Sequence, residues 1–185
     1  LSFASLILRP SSFVEELKMD EPRKNIHTIS LLVANKPGVL VRIALVFARR
    51  GFNIDSLVVS PAFNPKFSRM TITAQGKPET LADIIKATNK LIDVIHAGEH
   101  TGEDSVHREL ALIKIKYTSA TKPIITKLVH RFHAHIIDDT DNILVIEQTG
   151  TTDQLDEFEA ILKKYHLIEM IRTGKVAMAK GHEAT

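Results

Sequence analysis

An α+β fold, built as two βαββαβ units in tandem, follows from three observations. Apolar residues alternate with period two over short runs, and between those runs they recur at helical spacing. The order strand, helix, strand, strand, helix, strand occurs twice in 185 residues. A polar joint at residues 100–105 (HTGEDS) separates the two series. Each series is the split ferredoxin-like arrangement. The chain is long enough for two small domains. The expected layout is an arm over residues 1–26, a first unit over 27–102, a second over 103–181 and a tail over 182–185.

The arm begins LSFASLILRPSSF, which is Ser-rich with one Arg and no acid. Its apolar part is too short and its charge too sparse to define a signal peptide, and it reads as a flexible arm, with a transit remnant as the alternative. The charged, Pro-bearing stretch KMDEPRK (18–24) links it to the first unit. Ile29, Leu31 and Val33 alternate with Thr28, Ser30 and Leu32, which predicts a strand with one face mainly polar. Pro37 suits a first helical position. Leu40, Ile43, Ala44 and Phe47 continue at helical spacing. Arg49 and Arg50 complement the helix dipole in the last turn, and Gly51 ends it. Residues 54–59 read as a second strand, broken by Pro61, Asn64 and Pro65, and residues 67–74 as a third. Leu81, Ile84, Ile85, Thr88 and Ile92 mark a second helix, and residues 93–97 a fourth strand.

In the second unit, residues 110–117 (LALIKIKY) predict a strand. Ile124, Ile125, Leu128, Val129 and Phe132 predict a helix. Residues 135–138 and 143–148 form a hairpin around 139–142. Thr151 and Gln154 make a capping box for a helix bearing Leu155, Phe158, Ile161 and Leu162. Residues 168–178 return as strand, broken near Gly174. A four-stranded sheet with helices on one face leaves its other face and its edges uncovered, so a homodimer is expected on physical grounds.

Composition removes several functions. Formal net charge is +2 with no basic block, and aromatics are 5%, too few for base stacking by a βαββαβ sheet; no nucleic acid is expected. The absence of Cys excludes disulfides, thiolate metal sites and a Cys nucleophile, and fits a reducing compartment. No apolar run approaches the ~20 residues that span a bilayer, so no membrane is expected. His130, His133 and His135 lack a carboxylate at ligand spacing and are expected to be solvated surface residues. No acid/base pair or nucleophile stands out, so the chemistry on offer is recognition. The turn at residues 35–38 is either a plain Asn/Pro/Gly reversal or a cradle of backbone N–H groups for a small carboxylate.

The letters add what periodicity does not. Residues 27–40 (HTISLLVANKPGVL), 49–57 (RRGFNIDSL), 68–72 (SRMTI), 89–94 (NKLIDV), 106–115 (VHRELALIKI) and 172–181 (RTGKVAMAKG) resemble the small regulatory subunit family of acetolactate (acetohydroxyacid) synthase, with its ACT domain first. The resemblance runs from about residue 27 to 181. It implies a protein without an active site or cofactor of its own. Its partner is a catalytic subunit using thiamine diphosphate, Mg and FAD to condense pyruvate with pyruvate or 2-oxobutyrate. It also implies activation of that subunit and feedback inhibition by valine, in a homodimer. The resemblance places Asn35, Lys36, Pro37 and Gly38 in the ligand turn, Val39 and Leu40 at the helix start, and Asn53 with Ile54 on the facing chain's wall. Lys36-Pro37 departs from the usual acidic or small residues, and His133 stands where Arg is usual. Leucine and isoleucine remain open as effectors, as does a stand-alone ACT regulator of another enzyme. The expected compartment is the cytoplasm, or an organelle given the Ser-rich start.

Overall fold

Alternation along β1 (Ile26–Ala34) sends Ile29, Leu31 and Val33 to one face, where none is more than 1% exposed. The computed structural model describes residues 26–100, 104–182 and 185. The expected arm, apart from Ile26, and residues 101–103 of the joint lie outside these. Over the β1 core face pack α1 (Val39–Ala48) and α2 (Pro78–Thr88), through Val39, Ile43, Phe47, Leu81 and Ile84. β2 (Ile54–Pro61), β3 (Phe67–Gln75) and β4 (Val94–Glu99) complete an antiparallel sheet in the order β2-β3-β1-β4. The second unit repeats this with β5 (Ser105–Lys116), α3 (Lys122–Arg131), β6 (His135–Thr140), β7 (Ile143–Gly150), α4 (Thr152–Leu162) and β8 (His166–Arg172), ordered β6-β7-β5-β8. Its own core gathers Ile113, Ile115, Ile125, Leu144, Ile146 and Phe158. Asp141 and Asn142, both at positive φ, join β6 to β7 as a two-residue hairpin turn. The capping box forms: Thr151 Oγ1 accepts from the Gln154 amide, and Gln154 Oε1 accepts from the Thr151 amide at 2.9 Å.

Several expectations are corrected. Pro37 is not a helical residue. Gly38, at φ 82°, is the N-cap of α1, and that left-handed backbone keeps Pro37 in the turn ahead of it. β2 runs on through Pro61, which pairs with Ser68 on an edge strand, where a missing N–H is tolerated. Ile92 lies beyond α2 and is 95% exposed. The helix stops there because the Asn89 side chain bonds both backbone groups of Ala97, at 2.8 and 2.9 Å. β5 starts five residues before the expected strand, because residues 105–108 pair with β9 (Val176–Ala179) outside the four-stranded path.

The largest correction concerns the face of the first sheet turned away from its helices. It is polar, as expected, yet it is not open: Thr28, Ser30, Thr71 and Thr73 are 1–7% exposed. The chain's own second unit contributes to the cover. Ser56, which bonds Thr73 across the strands at 2.6 Å, meets Gly174 of the β8–β9 turn. A Cβ on Gly174 would lie 2.5 Å from the Ser56 Cβ. Arg69 on the same face donates to the Thr185 carbonyl. Beside the Ser56–Gly174 contact a cleft of about 380 Å³ opens between the units, lined by Asp55, Gln75, Glu109, Thr152, Arg172 and Lys175 among others.

His107 on β5 carries a pH signature. Ser105 Oγ donates to the His100 carbonyl at 3.0 Å and so accepts from His107 Nε2 at 2.7 Å. Nδ1 is buried with no partner among the described residues. A second proton there would sit on a buried, unanswered N–H. Burial, reinforced by Lys175 and His100, accordingly holds His107 below its ordinary 6.5. The unfolded chain then binds more protons than the folded one between 6.5 and that lower value. Stability from this group is full above 6.5 and is lost as pH falls through the window. Urea midpoints at pH 7.5 and 5.5 should differ less for His107→Gln than for the wild-type chain.

Candidate functional site

The turn at the end of β1 is held from both sides. The Asn35 amide N–H donates to the Lys66 carbonyl at 2.8 Å, and Asn35 Nδ2 donates to the Pro65 carbonyl at 3.0 Å. Asn35 therefore ties the β1–α1 turn to the β2–β3 loop. Asn35, Lys36, Pro37 and Gly38 are all exposed. Gly38 starts α1 with no side-chain cap. A helix start without such a cap offers N–H groups and a positive dipole end to an anion. A residue with a side chain at Gly38 would be strained by φ 82°, and its Cβ would stand 3.5 Å from Arg42 Nη1.

Arg42 is the residue that the sequence did not disclose. It sits one turn into α1, and its guanidinium reaches back over Gly38 while bonding Asp93 Oδ2 at 2.6 Å. The Asp93 carbonyl in turn accepts from the Ala34 amide at 2.8 Å. A half-exposed cation thus flanks the helix start. The Gly38-to-Arg42 spacing of four was the available signal, but Asp93 is 51 residues away and carried none.

Val39 is buried in the core and Leu40 is 40% exposed beside the turn. Val41 and Leu45 on the same helix are 62% and 45% exposed. A helix this apolar on its outer side calls for a cover. Asn53 and Ile54 lie elsewhere. Ala34 pairs with Phe67 at one end of β3, whereas Ile54 pairs with Ala74 at the other. Seven residues of strand separate them, about 23 Å at ~3.3 Å per residue. One protomer therefore does not bring Asn35 and Asn53 together. Asn53 is exposed, with Nδ2 donating to Asp55 Oδ1 at 3.1 Å, and Ile54 packs at the edge of the core.

Comparison with known proteins bears on both units. A family model described as the ACT domain of AHAS small-subunit-like proteins matches residues 29–96, and one described as the small subunit of acetolactate synthase matches 108–181. A probable acetolactate synthase small subunit of Archaeoglobus fulgidus is 43% identical over 157 residues, covering 85% of this chain and 98% of that one. The acetolactate synthase small subunit of Mycolicibacterium smegmatis is 41% identical, covering 84% and 91%. The crystal structure of the Thermotoga maritima acetolactate synthase small subunit superposes with a TM-score of 0.78 at 37% identity, covering 86% and 99%. Two sheets of like topology and a likeness that spans both units converge: this chain belongs to the family of acetolactate synthase small subunits.

Proposed function

We propose that the chain is a non-catalytic regulatory subunit that binds valine at the β1–α1 turn, raises the activity of the acetolactate synthase catalytic subunit and makes it sensitive to valine. The observation that carries this is the helix start at Gly38, which has no side-chain cap among the described residues and is flanked by Arg42. The ligand carboxylate would accept from the backbone N–H groups there, with Arg42 adding charge. Asn53 of a second protomer would accept from the ligand ammonium, and Leu40 with the partner's Ile54 would enclose a small branched side chain. The distance between turn and β2 within one protomer, and the apolar outer side of α1, both favour a two-fold pair in which each turn faces the other chain's β2. Thiamine diphosphate, Mg and FAD belong to the catalytic subunit in this scheme.

Valine acts by linkage: it favours one arrangement of the pair, and the catalytic subunit senses that arrangement. Acetolactate formation by the matching catalytic subunit, with and without this chain and with and without valine, tests it. Activation that valine reverses only in the presence of this chain is the expected result. A folded chain that binds valine yet leaves the verified catalytic subunit unaffected would instead regulate a different enzyme. Asn35→Ala should weaken valine binding by ~1–3 kcal/mol in calorimetry while activation survives. Loss of both in a folded variant would remove Asn35 from the ligand site.

A further inference from the structure

We propose that the Ser56–Gly174 contact is the pivot that couples the valine site to the second unit, a role that rests on the regulatory reading above. Three observations place it. Ser56 lies on β2, two residues beyond Ile54, the strand whose start the proposed site borrows from the neighbouring chain. Gly174 lies in the β8–β9 turn, at φ +83°, and approaches so closely that any Cβ would collide with the Ser56 Cβ and Oγ, at 2.5 and 2.6 Å. The turn is anchored from behind by Arg172, whose guanidinium bonds Glu109 on β5 and Asp156 on α4. A displacement of β2 by ligand therefore reaches the frame of the second unit through a contact too close to admit even a methyl group. The adjoining cleft of about 380 Å³ gives the units room to rock about this point. Gly174 and Ser56 act by positioning; neither touches the proposed ligand.

The test uses the full chain with its catalytic subunit and valine as the probe. Gly174→Ala introduces both the clash and the strain of an L residue at positive φ. Gly181→Ala imposes comparable strain, at φ +71°, with nothing within 4 Å, and serves as the control. Ser56→Gly removes the atoms that the new methyl would strike. Gly174→Ala should leave valine binding to the isolated chain unchanged in calorimetry, yet weaken inhibition of the complex about fivefold or more. Combining it with Ser56→Gly should restore most of the response, and Gly181→Ala should not disturb it. A wild-type valine response in folded Gly174→Ala would overturn the proposal. So would a double variant as defective as the single one, since strain in the turn would then be the cause. Amide hydrogen exchange along β2 provides an arm independent of valine. Exchange should rise in Gly174→Ala and fall again in the double variant, and no change would defeat the pivot. If wild-type chain fails to bind valine, it is the regulatory reading that fails, and the exchange result still decides whether the contact positions the units.

Discussion

Arg172→Met should destabilise the second unit by about 3–5 kcal/mol, the usual cost of removing one partner from a buried ion pair. Arg172 donates from Nε and Nη2 to Glu109 Oε2 at 3.1 and 2.7 Å, and Nη1 bonds Asp156, with Glu159 at 3.7 Å. The Glu109 side chain is 6% exposed and that of Arg172 18%, so neither charge is well screened by water. Burial works against the guanidinium charge, and the bonds to Asp156 and Glu109 outweigh it, raising its pKa above the ordinary value. Thr152 donates to the other Glu109 oxygen. Without Arg172 the Glu109 carboxylate keeps only that hydroxyl among the described residues. Adding Glu109→Gln should recover much of the loss, because the stranded charge is the main penalty. Arg172→Lys should not rescue, since a point charge does not reproduce a fork that bonds two elements at once. Urea midpoints for the three variants decide it; a wild-type midpoint for Arg172→Met would mean that the pair adds no net stability.

Phe47→Ala should cost about 3–5 kcal/mol in the first unit. Phe47 is 1% exposed among Ile29, Ile43, Ile72, Leu81 and Ile84, and its carbonyl accepts from the Arg50 and Phe52 amides that close the helix end. The backbone cap survives the substitution, so the loss is that of ring packing plus the cavity left behind. Among the described residues the two cores share no buried side chain. Hydrogen exchange should therefore show β1 and β3 losing protection first, with β5 and β7 retaining theirs. Equal loss in both sheets would show that the interface between units, rather than each core, sets cooperativity.

What was legible in the sequence was local. The capping box at Thr151, the β6–β7 hairpin and the core face of β1 all depend on neighbours within a few residues, and all form. The hairpin loop tightens from 139–142 to Asp141 and Asn142, and the core face of α1 takes Val39 in place of Leu40. Pro37 favours a first helical position in general, but the left-handed backbone of Gly38 sets the start of α1 two residues later. The first four residues of β5 escape a local reading because their partner strand is some seventy residues on. Arg42 and Asp93, Arg172 and Glu109, and Ser56 and Gly174 share that difficulty: each pair meets only after the sheets have formed. The turn of the candidate site was visible as Asn35–Gly38 in the letters, but its cation was not.

The separation of Asn35 from Asn53 by the length of a strand has a genetic consequence. In the two-fold pair proposed above, each pocket would draw its turn from one chain and its wall from the other. A chain defective at Asn35 paired with one defective at Asn53 would hold one doubly damaged pocket and one built wholly from intact parts. On the proposed regulatory role, two feedback-resistant alleles expressed together would restore valine sensitivity to half of the pockets in mixed pairs, whereas two alleles altered in the same segment would restore none.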